Sequence, residues 1–396
     1  MPNVNQETLG GFRAPVGQRG LVPLLTVCVG VIGANSLVLS PIAAEVAAAF
    51  AAPVPAVMTA AAAYGLGTAA AALLLARQID RFGSRRLLTL ALAVLALALA
   101  ASAAAPTVWI LIAAQLLAGL AAGVALPAVY ALAAESAAPG RESATLGAVL
   151  TGWTLSLVAG VSLSTLIADL VHWRAVYGAL TGGALLAAAC LALGPAAAPP
   201  AGGGPAALPW QALRLPGVAR LLLVCAGYMI AFYGVYGYLG AHLQESLGVP
   251  TSANGAVTLA YGLGFGGAAL LDRMIDRLGP ARLMLPAYAA IAAVYLALGL
   301  GSGSLAALVA LALVWGLMNH FGLNLLILRL SAIDPARRGA VLGLNSAVTY
   351  LCVFIGTLGF GPLYSLAGFA PLTWLAAALC LFAAVLTRSR RRFREG

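Results

Sequence analysis

A few side chains stand out for the chemistry they can do inside long runs that carry almost no charge. His320 and Asn324 are four residues apart, so on a helix they share one face. His320 is the single histidine within an apolar run, since His172 and His242 fall near run ends. An imidazole with an ordinary pKa of about 6.5 loads and releases a proton in the physiological range. That makes His320 a candidate proton carrier; the plainer alternative is a neutral ring bonded to a neighbouring asparagine or backbone carbonyl. Trp315 and Asn319 precede it in the same run, and Asn35, Ser36, Gln115, Tyr228, Tyr233 and Tyr236 put polar atoms into three others. Polar groups in such surroundings are costly and ordinarily face a cavity. Acids are expected only near run ends, at Glu45, Glu135, Asp169 and Glu245, and of these Glu135 is the second candidate for proton coupling. No nucleophile, acid–base pair or metal set accompanies them. Cys28, Cys190, Cys225, Cys352 and Cys380 each sit in apolar stretches without CxxC or Cys/His spacing. They read as small buried hydrophobes, with no disulfide, metal or cofactor.

The elements that must position these groups follow from composition. Of 396 residues 62% are hydrophobic and 8% charged, against roughly 25% charged in a soluble domain. Such a chain cannot cover a water-facing surface, which excludes a cytosolic enzyme, a disordered chain and a secreted disulfide scaffold. A membrane-spanning helix needs about 20 apolar residues. Twelve runs qualify: 21–43, 54–77, 86–104, 107–133, 143–167, 174–194, 219–242, 253–272, 282–301, 304–330, 339–365 and 367–387. They are too long and too rich in alanine and leucine to be alternating barrel strands. The first exceeds the 7–15-residue core of a signal peptide, so it is kept as helix 1. The fold class is all-α integral membrane with twelve spans.

All 21 basic residues are arginines, and the net charge is +10. Every arginine but Arg174 falls in the N-terminal segment, the even-to-odd loops or the tail. The positive-inside rule then puts both termini in the cytoplasm. The tail 388–396 reads as a membrane-surface anchor rather than a nucleic-acid patch. Residues 1–20 form a cytoplasmic N-terminal segment, 21–194 and 217–387 two six-helix bundles, and the Pro/Gly/Ala-rich stretch 195–216 a flexible linker.

The two halves repeat. Asp80-Arg81-Phe82-Gly83-Ser84-Arg85-Arg86 returns as Asp276-Arg277-Leu278-Gly279-Pro280-Ala281-Arg282, and Tyr64-Gly65-Leu66-Gly67 as Tyr261-Gly262-Leu263-Gly264. Parallel six-helix repeats are a transporter signature, with the binding site where the repeats meet. Gly83 and Gly279 supply tight turns. Gly152, Ser156, Gly160 and Ser164 line one face of helix 5 with small residues, which lets another backbone approach closely.

The motif at Asp80–Arg86 resembles the loop motif of the major facilitator superfamily, and the resemblance spans helices 1–12. The run Gly160-Val161-Ser162-Leu163-Ser164-Thr165 is similar to the antiporter motif of drug and sugar efflux permeases, with Ser162 and Ser164 in place of its proline and second glycine. The resemblance implies that helices 1, 4, 7 and 10 line a central cavity. It also implies that Asp80 clasps the start of helix 11 and Asp276 that of helix 5, with Arg81, Arg85, Arg86, Arg277 and Arg282 in the gating loops. Gln115 stands where relatives often carry an arginine, and Asn35 where they often carry an acid. The resulting expectation is a monomeric efflux permease of the bacterial inner membrane. It takes a small organic molecule, exchanges protons, and binds neither cofactor nor nucleic acid. An importer or facilitator of the same fold is the alternative.

Overall fold

The computed structural model describes residues 20–75, 78–138, 141–194, 209–334 and 337–388. The N-terminal segment, most of the linker and the basic tail lie outside the described residues. Twelve helices of 18–30 residues are long and apolar enough to cross a membrane. They are helix 1 (Leu21–Val38), helix 2 (Val54–Leu74), helix 3 (Ser84–Ala104), helix 4 (Val108–Glu135), helix 5 (Ala144–Leu170), helix 6 (Trp173–Leu193), helix 7 (Val218–Glu245), helix 8 (Thr251–Leu271), helix 9 (Pro280–Leu300), helix 10 (Leu305–Ser331), helix 11 (Arg338–Ala367) and helix 12 (Phe369–Thr387). Among the described residues there is no strand.

Several boundaries differ from expectation for local reasons. Helix 1 stops at Val38, and a separate short helix, Ala43–Ala49, follows the Ser40-Pro41 bend. Helix 5 widens to a π-helical turn over Ser156–Val161, a feature frequently found at functional sites. Helix 8 tightens to a 3-10 turn over Ala268–Leu271 before a short helix, Arg273–Leu278. The linker is not structureless throughout, because Pro209–Arg214 form a 3-10 turn whose Ala212 is buried.

The duplication seen in sequence is also a duplication of packing. Helix 2 crosses helix 4 so closely that a Cβ on Gly119 would lie 2.1 Å from Tyr64 O, and one on Gly67 2.5 Å from Leu116 O. Helix 8 crosses helix 10 the same way, with Gly316 2.0 Å from Tyr261 O and Gly264 1.9 Å from Leu313 O. Thr107 caps helix 4 through Ile110 N and Ser304 caps helix 10 through Ala307 N. Each bundle also packs its third helix on its fourth and sixth, and its first on its fifth. Two pairs join the bundles: helix 2 with helix 11, and helix 5 with helix 8.

Candidate transport site

The turns after helix 2 and helix 8 match in detail. Gly83 has φ 80° and Gly279 φ 81°, a left-handed conformation that only glycine adopts cheaply. Arg85 donates to Leu191 O at the end of helix 6, and Ser84 donates to Glu135 at 2.6 Å. Glu135 therefore tethers the end of helix 4 to this turn, and it is exposed. Arg81 lies over the Phe82 ring at 5.4 Å, while Arg86, Arg277 and Arg282 are exposed. The side chains of Asp80 and Asp276 lie outside the described residues, and so do the clasps expected of them.

The polar residues of the first bundle turn toward one another. Asn35 Nδ2 donates to Gln115 Oε1 at 3.2 Å, and Gln115 Nε2 donates to Ser102 Oγ at 3.0 Å. Gln115 is 2% exposed and Asn35 4%. These three side chains tie helices 1, 3 and 4 together through neutral hydrogen bonds. Ser36, in contrast, faces the other bundle and lines a crevice with Ser40, Met58, Tyr233, Tyr236, Val353 and Thr357.

The small-residue ladder of helix 5 packs within its own bundle. A Cβ on Gly152 would meet Thr26 O at 2.4 Å, Ser156 Oγ fills the space beside Gly33, and Gly160 abuts Ala34, all on helix 1. Ser164 Oγ folds back onto Gly160 O at 2.6 Å. The seam between bundles runs along the adjacent face. Thr165 meets Gly255, Ser162 Oγ lies 3.3 Å from Thr258 Oγ1, Val158 packs on Gly262 and Thr154 on Gly266. One turn further the seam ends: Thr151 is exposed and Leu270 is 86% exposed. Along this seam helices 5 and 8 thus interlock toward the arginine-poor end, while the next side chains toward the arginine-rich end, Thr151 and Leu270, are exposed.

The interlocked end is tightly sealed. Ser40 donates to Tyr236 O and Asn254 Nδ2 to Pro41 O at 2.6 Å. Gly240 lets helix 7 press on the Ser40-Pro41 bend, where a Cβ would lie 2.5 Å from Ser40 O. The two crevices left along this contact hold about 10 Å³ each, room for about one water and no organic cargo. Glu45, on the short helix beside this seal, accepts from Trp173 N at 3.0 Å. Burial raises its pKa above the ordinary carboxylate value.

The second bundle gathers the remaining candidates. Tyr236 and Phe232 of helix 7, Tyr261 of helix 8 and Trp315 of helix 10 form one continuous set of ring contacts, with centroids 5.1–6.5 Å apart. Tyr233 joins it through Phe232 at 4.9 Å. Asn319 is fully buried and donates to Tyr261 Oη at 3.0 Å, while Tyr228 donates to Asn319 O at 2.9 Å.

His320 and Asn324 share a face as expected, but their partner is an acid. His320 Nε2 lies 3.0 Å from Asp272 Oδ1, and Asn324 Nδ2 donates to the same oxygen at 3.0 Å. His320 is 16% exposed and Asp272 38%. His320 precedes the end of helix 10 at Ser331 by eleven residues, about 16 Å at 1.5 Å per residue. Asp272 follows Leu271, the last residue of helix 8, so it lies near a run end as expected of acids, although it is not among those named from the sequence, and its partner helix 10 continues for eleven residues past His320. Its position closing run 8, beside Arg273, makes it look like a loop residue. One signal was available: at the repeat offset it replaces Ala76 while Arg273 matches Arg77, so it departs from the shared plan where the shared plan is otherwise kept.

Two homologous bundles joined along two seams, one of them sealed at one end and parted at the other, define a multi-pass membrane transporter. Residues 25–357 match the Major Facilitator Superfamily, and the chain belongs to that family. The MFS-type transporter YwfA of Bacillus subtilis (strain 168) is 28% identical over 370 residues, 92% of this chain and 90% of YwfA. The solved D-xylose-proton symporter has the same fold, with a TM-score of 0.76 at 18% identity over 94% of this chain and 97% of that one. The inward open conformation of the xylose transporter XylE from E. coli gives a TM-score of 0.73 at 17% identity, over 93% and 95% of the two chains.

Proposed function

We propose that this transporter exports small organic molecules across the bacterial cytoplasmic membrane in exchange for protons. The bundles 21–194 and 217–387 rock as a monomer about their shared seams, and the arginine-rich end faces the cytoplasm. The observation that carries this reading is the helix 5–helix 8 seam, closed from Thr165–Gly255 to Thr154–Gly266 and parted at Thr151 and Leu270. Access from one end only is what alternating access requires. Efflux is supported by the antiporter-like run at Gly160–Thr165. Proton exchange is supported by the imidazole at His320 beside a carboxylate. One net charge moved across 100 mV supplies about 2.3 kcal/mol for accumulation. Cargo contacts are assigned to Ser36, Tyr233 and Tyr236, which already face the opposite bundle.

A facilitator without proton coupling is favoured by one observation, the charge-free Asn35–Gln115–Ser102 cluster where relatives often carry an acid and an arginine. A thermal-stability screen of the purified protein over sugars, amino acids and drugs at two pH values finds the cargo, because binding raises stability by mass action. Right-side-out vesicles with an imposed pH gradient then decide. Export driven by the gradient supports exchange; transport indifferent to it leaves the facilitator.

A further inference from the structure

Resting on that reading, we infer that the Asp272–His320–Asn324 cluster is the proton switch that holds the arginine-rich end of the helix 5–helix 8 seam open. The argument is one of placement. Helix 8 carries the seam through Gly255, Thr258, Gly262 and Gly266, and its 3-10 turn at Ala268–Leu271 marks where it leaves helix 5. Asp272 is the next residue. Its Oδ1 is held by two donors of helix 10, His320 and Asn324, each at 3.0 Å. The cluster therefore ties the departing end of helix 8 to its own bundle, six residues beyond Gly266, the last contact across the seam.

With Asp272 ionised, the neutral imidazole donates Nε2–H to Oδ1. A proton from water adds to the free lone pair of Nδ1 and leaves from the same atom, with no other bond changed. The carboxylate already accepts a charge-assisted bond from the neutral ring; protonation adds the Coulomb attraction of two opposite charges at this separation. Loading His320 thus tightens the tie and keeps the end open; unloading it loosens the tie and lets helix 8 return to helix 5. An exporter driven by inward proton flow needs this order: open to the cytoplasm when protonated, and released to close once the proton has gone.

The neighbours bonded or packed around the cluster are aromatic rings and phenols. The His320 ring lies edge-on to Phe265 at 5.2 Å and to Phe321 at 6.1 Å. The titratable groups bonded at this level from other helices are phenols, Tyr228 of helix 7 on Asn319 O and Tyr288 of helix 9 on Gly322 O, with Tyr261 of helix 8 on the Asn319 side chain. Tyr130 of helix 4 is bonded to Trp153 of helix 5. The arginines on the elements that adjoin the cluster are Arg273 and Arg277 on the following short helix, Arg282 on helix 9 and Arg141 before helix 5, all exposed, and Arg329 on helix 10, half-buried. The side chains of Asp276 and Glu142 lie outside the described residues.

The test is a spin-label distance measurement on the full chain in lipid nanodiscs, with labels at Thr151→Cys and Leu270→Cys and the exposed Cys190 replaced by serine. The account expects the longer distance to dominate at pH 6 and a shorter one to grow in at pH 8. It expects D272N and H320Q to abolish that change and D272E to restore it, with each variant checked for native thermal stability. A distance that ignores pH, or a pH response that survives D272N and H320Q, overturns the switch. The vesicle assay is separate: transport indifferent to a pH gradient would remove proton exchange while a pH-responsive seam kept the switch.

Discussion

At the scale of single residues, polarity inside the bundles does two different jobs. Gln115 is satisfied by Asn35 and Ser102 within one bundle, so its first duty is structural. Gln115→Ala strips partners from two buried side chains and is expected to cost about 1–3 kcal/mol, read as a fall in Tm in detergent. Lost transport with an unchanged Tm would instead place Gln115 at the cargo. Glu45 gives a pH prediction. Burial raises its pKa in the folded protein above the ordinary value of 4.5, so the unfolded chain releases the proton first. The group's contribution to stability is therefore full below the ordinary carboxylate pKa and declines as pH rises through the raised one. Glu45→Gln removes that decline, and the Tm difference between wild type and variant should change between pH 4 and pH 7. A pH-independent difference would contradict the assignment.

At the scale of elements, the repeated glycine crossings set how near paired helices can approach. Gly119→Ala and Gly316→Ala each drive a methyl into a tyrosine carbonyl and are expected to cost at least the 1–3 kcal/mol typical of overpacking. Calorimetry or Tm should show a similar loss for both, and a large effect at one with none at the other would argue against equivalent packing. The repeat itself was legible because Tyr64-Gly65-Leu66-Gly67 and its copy Tyr261-Gly262-Leu263-Gly264 survive as a pattern in one sequence, but the helices that these glycines bring together were not. The twelve spans were legible for a similar reason, since lipid demands long apolar runs. What could not be read was tertiary partnership. The ladder on helix 5 announces close approach but not its neighbour, and the structure puts helix 1 there while the seam to helix 8 uses Thr154, Val158, Ser162 and Thr165. Asp272 was hidden because the depth of a helix end depends on how far its neighbour continues, and helix 10 runs on for eleven residues past His320. The π-helical turn at Ser156–Val161 leaves no mark in hydropathy either.

At the scale of the molecule, buried residues of both bundles form one continuous hydrophobic cluster, and the proposed rocking requires the seams between the bundles to open and close at their ends. Ser162 and Thr258 face each other across the closed part at 3.3 Å. A disulfide between Ser162→Cys and Thr258→Cys should lock the arginine-poor end and stop transport, with activity returning on reduction; undiminished transport by the oxidised protein would show that this end need not open. The most direct test follows both ends of one seam together. Spin pairs at Thr151 and Leu270, and at Leu170 and Ser252, report the arginine-rich and arginine-poor ends of helices 5 and 8. Across pH and added cargo, the account predicts that the two distances change in opposite senses, one lengthening as the other shortens. Distances that lengthen together, or that stay fixed while cargo is transported, would contradict alternating access between two rigid bundles.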